Sequence, residues 1–200
     1  MYRFPRDPKK IRQRIRRYER LMRKEYEEHG FISDGYGKRY LLGALYLLMD
    51  DVEGALASFH WFEKMFPDDM GDPIHYLCWA LTLYRSGDME DAAFRLRQAM
   101  LSNLYLIPRL LGEEQEELDI PYNTHLAQRL YLDYIPPEVF ELWDEDAVEW
   151  ARKTYESPGL QRIRSRYIEI ERRLETEPRG PNRSELVDEW IRSLRSRDLC

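Results

Sequence analysis

The side chains capable of acid–base or metal chemistry are scattered along this chain of 200 residues. Its four histidines share none of the spacings that metal-binding motifs use. His60 and His75 flank three aspartates, Asp68, Asp69 and Asp72, which a metal ion could use. Capping of helix ends and solvation explain those aspartates without a metal. We therefore predict no metal site and no cofactor.

Motifs of the common enzyme classes are missing from the sequence. It contains no HExxH zinc-protease motif, no GxSxG nucleophile turn, no P-loop and no complete GxGxxG. The segment GYG at residues 35–37 is better explained as part of a turn. We therefore predict no catalytic residues and a protein that is not an enzyme.

Cysteine use and the start of the chain bear on the cellular compartment. Cys78 and Cys200 are far apart and form no CxxC pair, so no disulfide framework is indicated. The basic first ten residues are not followed by the apolar stretch of a secretory signal. The longest apolar run, residues 40–49, is shorter than the roughly 18 to 20 residues that cross a bilayer. We predict a cytoplasmic protein that does not enter a membrane.

The first 29 residues are strongly basic, with eleven Lys or Arg against five Asp or Glu, whereas the remainder has twenty against thirty-two. Arginines at helical spacing could neutralise phosphates, which makes nucleic acid a candidate partner. These candidate polyanion-binding residues are Arg12, Arg16, Arg17, Arg20 and Arg23. Apolar residues recur at every third or fourth position of the same segment. Packing onto the acidic body, for example onto residues 113–119, is the alternative that we favour.

Helices are the elements that must position these groups. Apolar residues recur at steps of three or four, while sustained two-residue alternation and Asn-Gly hairpin turns are missing. This pattern predicts an all-α fold of about nine helices and no sheet. A short helix is expected over about residues 124–134. The expected helix N-caps are Asp50, Asp72, Asp88 and Ser184, with Pro73 at a first helical position.

Two stretches of the central region repeat one helix-turn-helix pattern, W-x2-L-G-x2-Y, then A-x3-F, then P. The first stretch matches it with Leu42, Gly43, Tyr46, Ala55, Phe59 and Pro67, and has Arg39 at the place of the Trp. A looser second copy has Tyr76, Trp79, Ala80, Leu83, Ala92, Leu96 and Ala99 at the corresponding places. A faint third pair lies around Ala147 and Ala151. The pattern resembles the tetratricopeptide repeat family.

The small residues of the first copy have a steric explanation. Gly43 and Ala55 let two helices approach closely, while Tyr46 and Phe59 fill the flanking space. The resemblance implies an α-α superhelix of helix hairpins with capping helices at both ends, in one continuous helical domain. Its parts would be a basic capping helix (1–30), two repeats (36–106), and degenerate repeats with C-terminal capping helices (107–200).

The resemblance also implies a binding surface, since the family binds peptide or protein segments on a concave face lined by the first helix of each repeat. By position that lining is Tyr40, Ala44, Leu47, Ile74, Leu77, Leu81, Tyr84 and Arg85. Tyr40 and Ala44 replace the Lys and Asn of members that clamp a terminal carboxylate. The expected ligand is therefore an apolar or amphipathic helix, with Arg85 orienting an acidic group. Filling of the groove by the protein's own terminal helix is the open alternative.

These observations indicate a non-catalytic adaptor that binds a protein or peptide partner in the concave groove. The alternative function is nucleic acid binding through the basic N-terminal helix. The identity of the partner and the oligomeric state stay open at this point.

Overall fold

The computed structural model describes residues 3–121 and 124–197, so Cys200 and the outermost residues of both predicted end segments lie outside the described part. Throughout that part the chain is helical without a β-strand, which confirms the predicted all-α class. Two short 3-10 helices, His125–Ala127 and Arg129–Tyr134, accompany ten α-helices. The α-helices are α1 (Pro8–His29), α2 (Lys38–Leu47), α3 (Val52–Met65), α4 (Pro73–Ser86), α5 (Met89–Ser102), α6 (Leu106–Leu110), α7 (Pro137–Glu141), α8 (Glu145–Glu156), α9 (Pro158–Thr176) and α10 (Pro181–Arg195).

Two of the predicted helix starts are confirmed. Asp72 precedes α4, and its carboxylate accepts a hydrogen bond from the amide of Ile74 (2.9 Å), with Pro73 at the first helical position. Asp88 caps α5 through the amide of Asp91 (3.2 Å). In both cases an aspartate pairs with an amide that the first helical turn leaves without a partner.

The other two predicted starts are wrong. Asp51, not Asp50, caps α3 by accepting a hydrogen bond from the amide of Gly54 (2.8 Å). Asp50 has a positive φ of 57° and turns the chain between α2 and α3, a conformation that aspartate tolerates better than most residues. α10 begins at Pro181 rather than after Ser184, because the fixed φ of proline favours the first helical position.

Residues 125–134 form two 3-10 helices instead of the single short helix that was predicted. Gln128 between them is extended (φ −73°, ψ 148°), which interrupts the helical path. The side-chain amide of Asn103 donates to the carbonyl oxygens of Leu126 (2.6 Å) and Gln128 (3.1 Å). A continuous α-helix would pair such carbonyl groups along its own backbone. The buried Asn103 thus ties this segment to the end of α5.

α2 and α3 form a tightly packed helix pair, as do α4 and α5. Gly43 of α2 lies against Phe59 of α3, and a Cβ at residue 43 would come within 2.1 Å of that ring. Ala55 of α3 is fully buried. These contacts confirm the predicted steric reason for the two small residues. The ring of Phe59 also stacks on Trp79 of α4, with centroids 5.1 Å apart, and so joins the two helix pairs.

The remaining helices pack around these two pairs. α1 lies against α2 through the buried side chains of Ile11, Ile15 and Met22. α5 contacts α6, α8, α9 and α10, and the last three of these pack in chain order. One continuous group of buried apolar side chains extends from Phe4 to Leu194. Within the described ranges, no helix is both long and apolar enough to cross a membrane.

Candidate binding grooves

The predicted concave lining is not an open surface. Ala44, Leu77 and Leu81 have no exposed area, and Leu47 and Ile74 are buried as well. The three other members of the predicted set, Tyr40, Tyr84 and Arg85, are half-buried. As a lining that a partner can reach, this set is wrong, because other parts of the chain cover it.

Residues 131–150 pack against both ends of α4. Tyr131 donates a hydrogen bond to the carboxylate of Asp72 at the start of α4 (2.8 Å). The ring of Tyr84 stacks on that of Trp150 in α8, with centroids 4.9 Å apart. Part of the predicted lining is therefore in contact with this segment and not with the terminal helix. α10 lies against α5 and α9 instead.

Arg85 has an internal role that differs from the predicted one. Its Nη2 donates to the carbonyl oxygen of Leu142 (2.6 Å) and lies 3.8 Å from a carboxylate oxygen of Asp144. Its Nη1 lies 3.9 Å from the exposed carboxylate of Asp50. The guanidinium thus joins the end of α4 to the connection between α7 and α8.

Tyr40 belongs to a polar network at the start of α2. Its hydroxyl donates to Asp69 (2.7 Å), and Nε of Arg39 donates to the same carboxylate (3.0 Å). Burial raises the pKa of Asp69, but hydrogen bonds from Tyr40, from the Gly71 amide and from Arg39 outweigh this effect. The pKa of Asp69 consequently stays below its usual value. This network fixes the loop between α3 and α4 onto α2.

The buried titratable groups are core residues. His75 is enclosed by aromatic rings, and within the described residues neither of its ring nitrogens has a hydrogen-bond partner. The enclosing rings are those of Tyr40, Phe59, Phe62, Tyr76 and Trp79. Burial lowers the pKa of His75 to about 3, and it raises the pKa of the free Cys78 thiol to about 12. His60 is exposed, and the described part of the chain has no cluster of metal ligands.

The candidate polyanion-binding arginines lie on the solvent side of α1. Arg12, Arg16, Arg17, Arg20 and Arg23 are all exposed, and none forms an ion pair with a residue that the structure describes. α1 packs onto the body as predicted, but it does so through apolar side chains. The acidic run is engaged elsewhere, since Glu113 forms an ion pair with Arg152 of α8.

A groove with a volume of about 600 Å³ lies between α1 and α3, with α2 as its floor. Met22 and Leu42 are buried at the base of this α1–α3 groove. Tyr26 of α1 and Trp61 and Met65 of α3 form apolar parts of its sides. The other lining residues are Glu19, Arg23, Ile32, Tyr46, Gly54, Ala57, Ser58 and Lys64. The groove is mostly apolar, and it is open to solvent.

Small side chains on α3 keep this groove wide. Gly54, Ala57 and Ser58 lie on the side of α3 that faces α1. A Cβ at residue 54 would come within 2.5 Å of the ring of Tyr46. The hydroxyl of Tyr46 in turn donates a hydrogen bond to Glu19 (2.5 Å), which holds α1 to α2 at the groove floor.

A second groove, the α3–α5 groove, lies on the other side of α3 and has a volume of about 230 Å³. The rings of Phe62 in α3, of Phe66 directly after α3 and of Trp79 in α4 line it. The guanidinium of Arg95 lies 3.4 Å from the centroid of the Trp79 ring, and its Nη2 donates to Glu63 (2.6 Å). Large aromatic and charged side chains therefore fill most of this space.

Residues 194–197, at the end of α10, form one side of the α3–α5 groove. Leu194 is buried against it, and the carbonyl oxygen of Leu194 accepts a hydrogen bond from Gln98 (3.0 Å). Arg197 forms an ion pair with Asp91 of α5. The end of the described chain thus narrows this groove.

None of the residues predicted to line the concave face lies in the α1–α3 groove. Of the predicted polyanion-binding residues, Arg23 lines it. In the sequence, this groove is indicated by a second face of small and apolar residues on α3. Ala55, Phe59 and Phe62 form the core face, whereas Gly54, Ala57, Ser58 and Trp61 recur at helical steps on another face. A helix with two apolar faces either packs against neighbours on both faces or leaves one apolar face exposed to solvent.

Comparison of the chain with protein-family models, with curated proteins and with solved structures finds no match. The resemblance to tetratricopeptide repeats therefore depends on the residues of α2 to α5 alone. The function has to be inferred from the geometry of the two grooves and of α1.

Proposed function

We propose that the protein is a non-catalytic, tetratricopeptide-like binding module of the cytoplasm that holds a helix of a partner protein in the α1–α3 groove. One observation carries this proposal. The chain buries most of the predicted concave lining and narrows its α3–α5 groove with large side chains, whereas the α1–α3 groove is wider, mostly apolar and open. An exposed apolar groove of this kind is typical of a surface that binds a partner.

The walls of the groove suit a helix. α3 has 14 residues and is therefore about 21 Å long, so a partner helix of about the same length can lie along it. The exposed Ala57 allows its backbone to approach closely. Trp61 and Tyr26 are partly exposed aromatic side chains, the type that often dominates binding energy at protein interfaces.

A selection of helical peptides with a blocked variant tests the proposal. A display library of peptides of about 14 residues, with apolar residues at i, i+3, i+4 and i+7, is selected on the full chain. Ala57 is exposed, so Ala57→Trp fills the groove without entering the core. His60→Trp is the matched control, because His60 is exposed on the same helix but does not line the groove.

We expect the selected peptides to bind the unaltered chain and His60→Trp equally, and to bind Ala57→Trp at least about tenfold more weakly. Fluorescence anisotropy with labelled peptides measures the three dissociation constants. If no peptide is enriched, or if Ala57→Trp binds as well as the control, the proposal is wrong.

Polyanion binding by α1 is a second candidate, favoured by the exposure of its five arginines without acidic partners in the described residues. Since Ile11, Ile15 and Met22 anchor α1 in the core, point substitutions are the appropriate test rather than deletion. Replacing all five arginines by Gln should abolish retention on a heparin column at low salt. Passage of the unaltered chain through that column without retention contradicts this candidate.

A further inference from the structure

The charges beside the α1–α3 groove indicate which kind of helix it fits. Arg23 on the α1 side and Lys64 on the α3 side both line the groove, and neither forms an ion pair within the described ranges. Glu19 lines it too, and its carboxylate accepts the hydrogen bond from Tyr46 at the floor. The lining therefore has one positive side chain on each side and one negative side chain at the floor, so its net charge is positive.

Positive charge continues along α1 beyond the groove. Residues spaced by alternating steps of four and three share one face of a helix. Arg12, Arg16, Glu19, Arg23 and Tyr26 have this spacing, and the last three of them line the groove. A helix that lies beside α1 and extends towards the N-terminus of α1 therefore meets Arg16 and then Arg12, both of which are exposed.

The other acidic groups nearby do not line the groove, and several of them have partners of their own. Asp51 accepts the hydrogen bond from the amide of Gly54, and Glu53 does not line the groove. Glu28 lies 3.4 Å from Lys24, and Glu25 accepts a hydrogen bond from the hydroxyl of Ser33 (2.6 Å).

We infer that the ligand of the α1–α3 groove is an amphipathic helix whose apolar face is flanked by Asp or Glu. This inference rests on the proposed function, and it names the chemistry of the partner. Acidic side chains on one flank would face Arg23 and Arg16, and those on the other flank would face Lys64. Such exposed pairs contribute modestly to affinity, but they discriminate between partners and accelerate association.

Synthetic peptides separate this inference from the proposed function. One enriched peptide is made in three versions that keep its apolar residues and carry Glu, Gln or Lys at the flanking positions. At low salt we expect the Glu version to bind about tenfold more tightly than the Lys version, with the Gln version between them. The difference should shrink as salt is added, since the charges are exposed.

A charge-reversed protein provides the complementary measurement. In the double variant Arg23→Glu with Lys64→Glu, the Lys version should become the tightest ligand. The control, Lys10→Glu with Lys153→Glu, changes net charge equally at two exposed residues that do not line the groove, and it should keep the original order. Thermal denaturation of both variants establishes that they remain folded.

Each outcome decides one question. Groove-dependent binding that is equal for the three peptides overturns this inference and leaves the proposed function standing. Absence of any peptide that Ala57→Trp weakens overturns the proposed function itself. A dimer of the chain in sedimentation that Ala57→Trp dissociates identifies a second copy as the occupant, and so also overturns the inference.

Discussion

The α1–α3 groove and the α3–α5 groove share α3 as a wall, yet they differ in width and occupancy. On the α1 side, Gly54, Ala57 and Ser58 leave an open space of about 600 Å³. On the α5 side, aromatic rings such as that of Phe62 leave about 230 Å³, and residues 194–197 form part of the wall. The comparison indicates that the size of the side chains on a shared helix sets how much space is left on each of its sides.

Gly43→Leu should have the largest effect, because it displaces the wall that both grooves share. A Cβ at residue 43 would lie within 2.1 Å of Phe59, so we expect the free energy of unfolding to fall by about 3 kcal/mol or more. Circular dichroism during thermal denaturation measures the loss. Gly159→Leu is the control, since a Cβ there meets no atom within 4 Å. Equal melting temperatures for the two variants would contradict the shared-wall interpretation.

Leu194→Ala should widen the α3–α5 groove. Leu194 is 5% exposed, so its truncation should lower the free energy of unfolding by about 3 kcal/mol. It should also increase the binding of the apolar dye anilinonaphthalene sulfonate, because more apolar surface of this groove becomes accessible. Val187→Ala, at a 37% exposed site of the same helix, should change stability by no more than about 0.5 kcal/mol. The interpretation fails if the two variants bind the same amount of dye.

His75→Leu should change how stability depends on pH, since His75 packs beneath the floor of the α3–α5 groove. An unfolded histidine has a pKa near 6.5, whereas burial lowers that of folded His75 to about 3. Between these values the unfolded state binds more protons, so His75 reduces stability as pH falls through this window. Going from pH 7 to pH 5, the original chain should lose about 2 kcal/mol more than the variant.

Urea denaturation at pH 7, 6 and 5 measures that difference. His60→Leu, at an exposed histidine, should follow the pH dependence of the original chain. Parallel curves for His75→Leu and the original chain would show that the neutral, buried state of His75 makes no contribution.

Tyr46→Phe should have the smallest of these effects, at the floor of the open groove. It removes the hydrogen bond from the Tyr46 hydroxyl to Glu19, which joins α1 to α2, so we expect a loss of about 1 kcal/mol. Tyr26→Phe is the control, because Tyr26 is 48% exposed and its ring faces the same groove. An equal loss in both variants would exclude a specific role for the hydrogen bond.

Features that depend on neighbouring residues in the sequence were predictable. The caps Asp72 and Asp88 are defined within three residues, and the contact of Gly43 with Phe59 follows from helical spacing within one short hairpin. The start of α3 was misplaced by one residue because Asp50 and Asp51 have the same side chain. Only the backbone conformation, with its positive φ at Asp50, distinguishes their roles.

Which grooves are open could not be predicted, because it depends on contacts between distant parts of the chain. Tyr131 binds Asp72, and Arg85 binds the carbonyl group of Leu142, across separations of 59 and 57 residues. No local pattern indicates that residues 131–150 return to α2 and α4 instead of leaving that face free. The α1–α3 groove could not be predicted for the same reason, because its two walls come from helices that precede and follow α2 in the sequence.

Because α3 is a wall of both grooves, a ligand that moves α3 on the Ala57 side would also move Phe62 and Glu63, which line the other groove. Binding in one groove would then be linked to the position of residues 194–197 in the other. By reciprocity, the position of these residues would change the affinity for the ligand by the same factor as the ligand changes their equilibrium. The C-terminal end of the chain would then act as an effector of a site that it never touches.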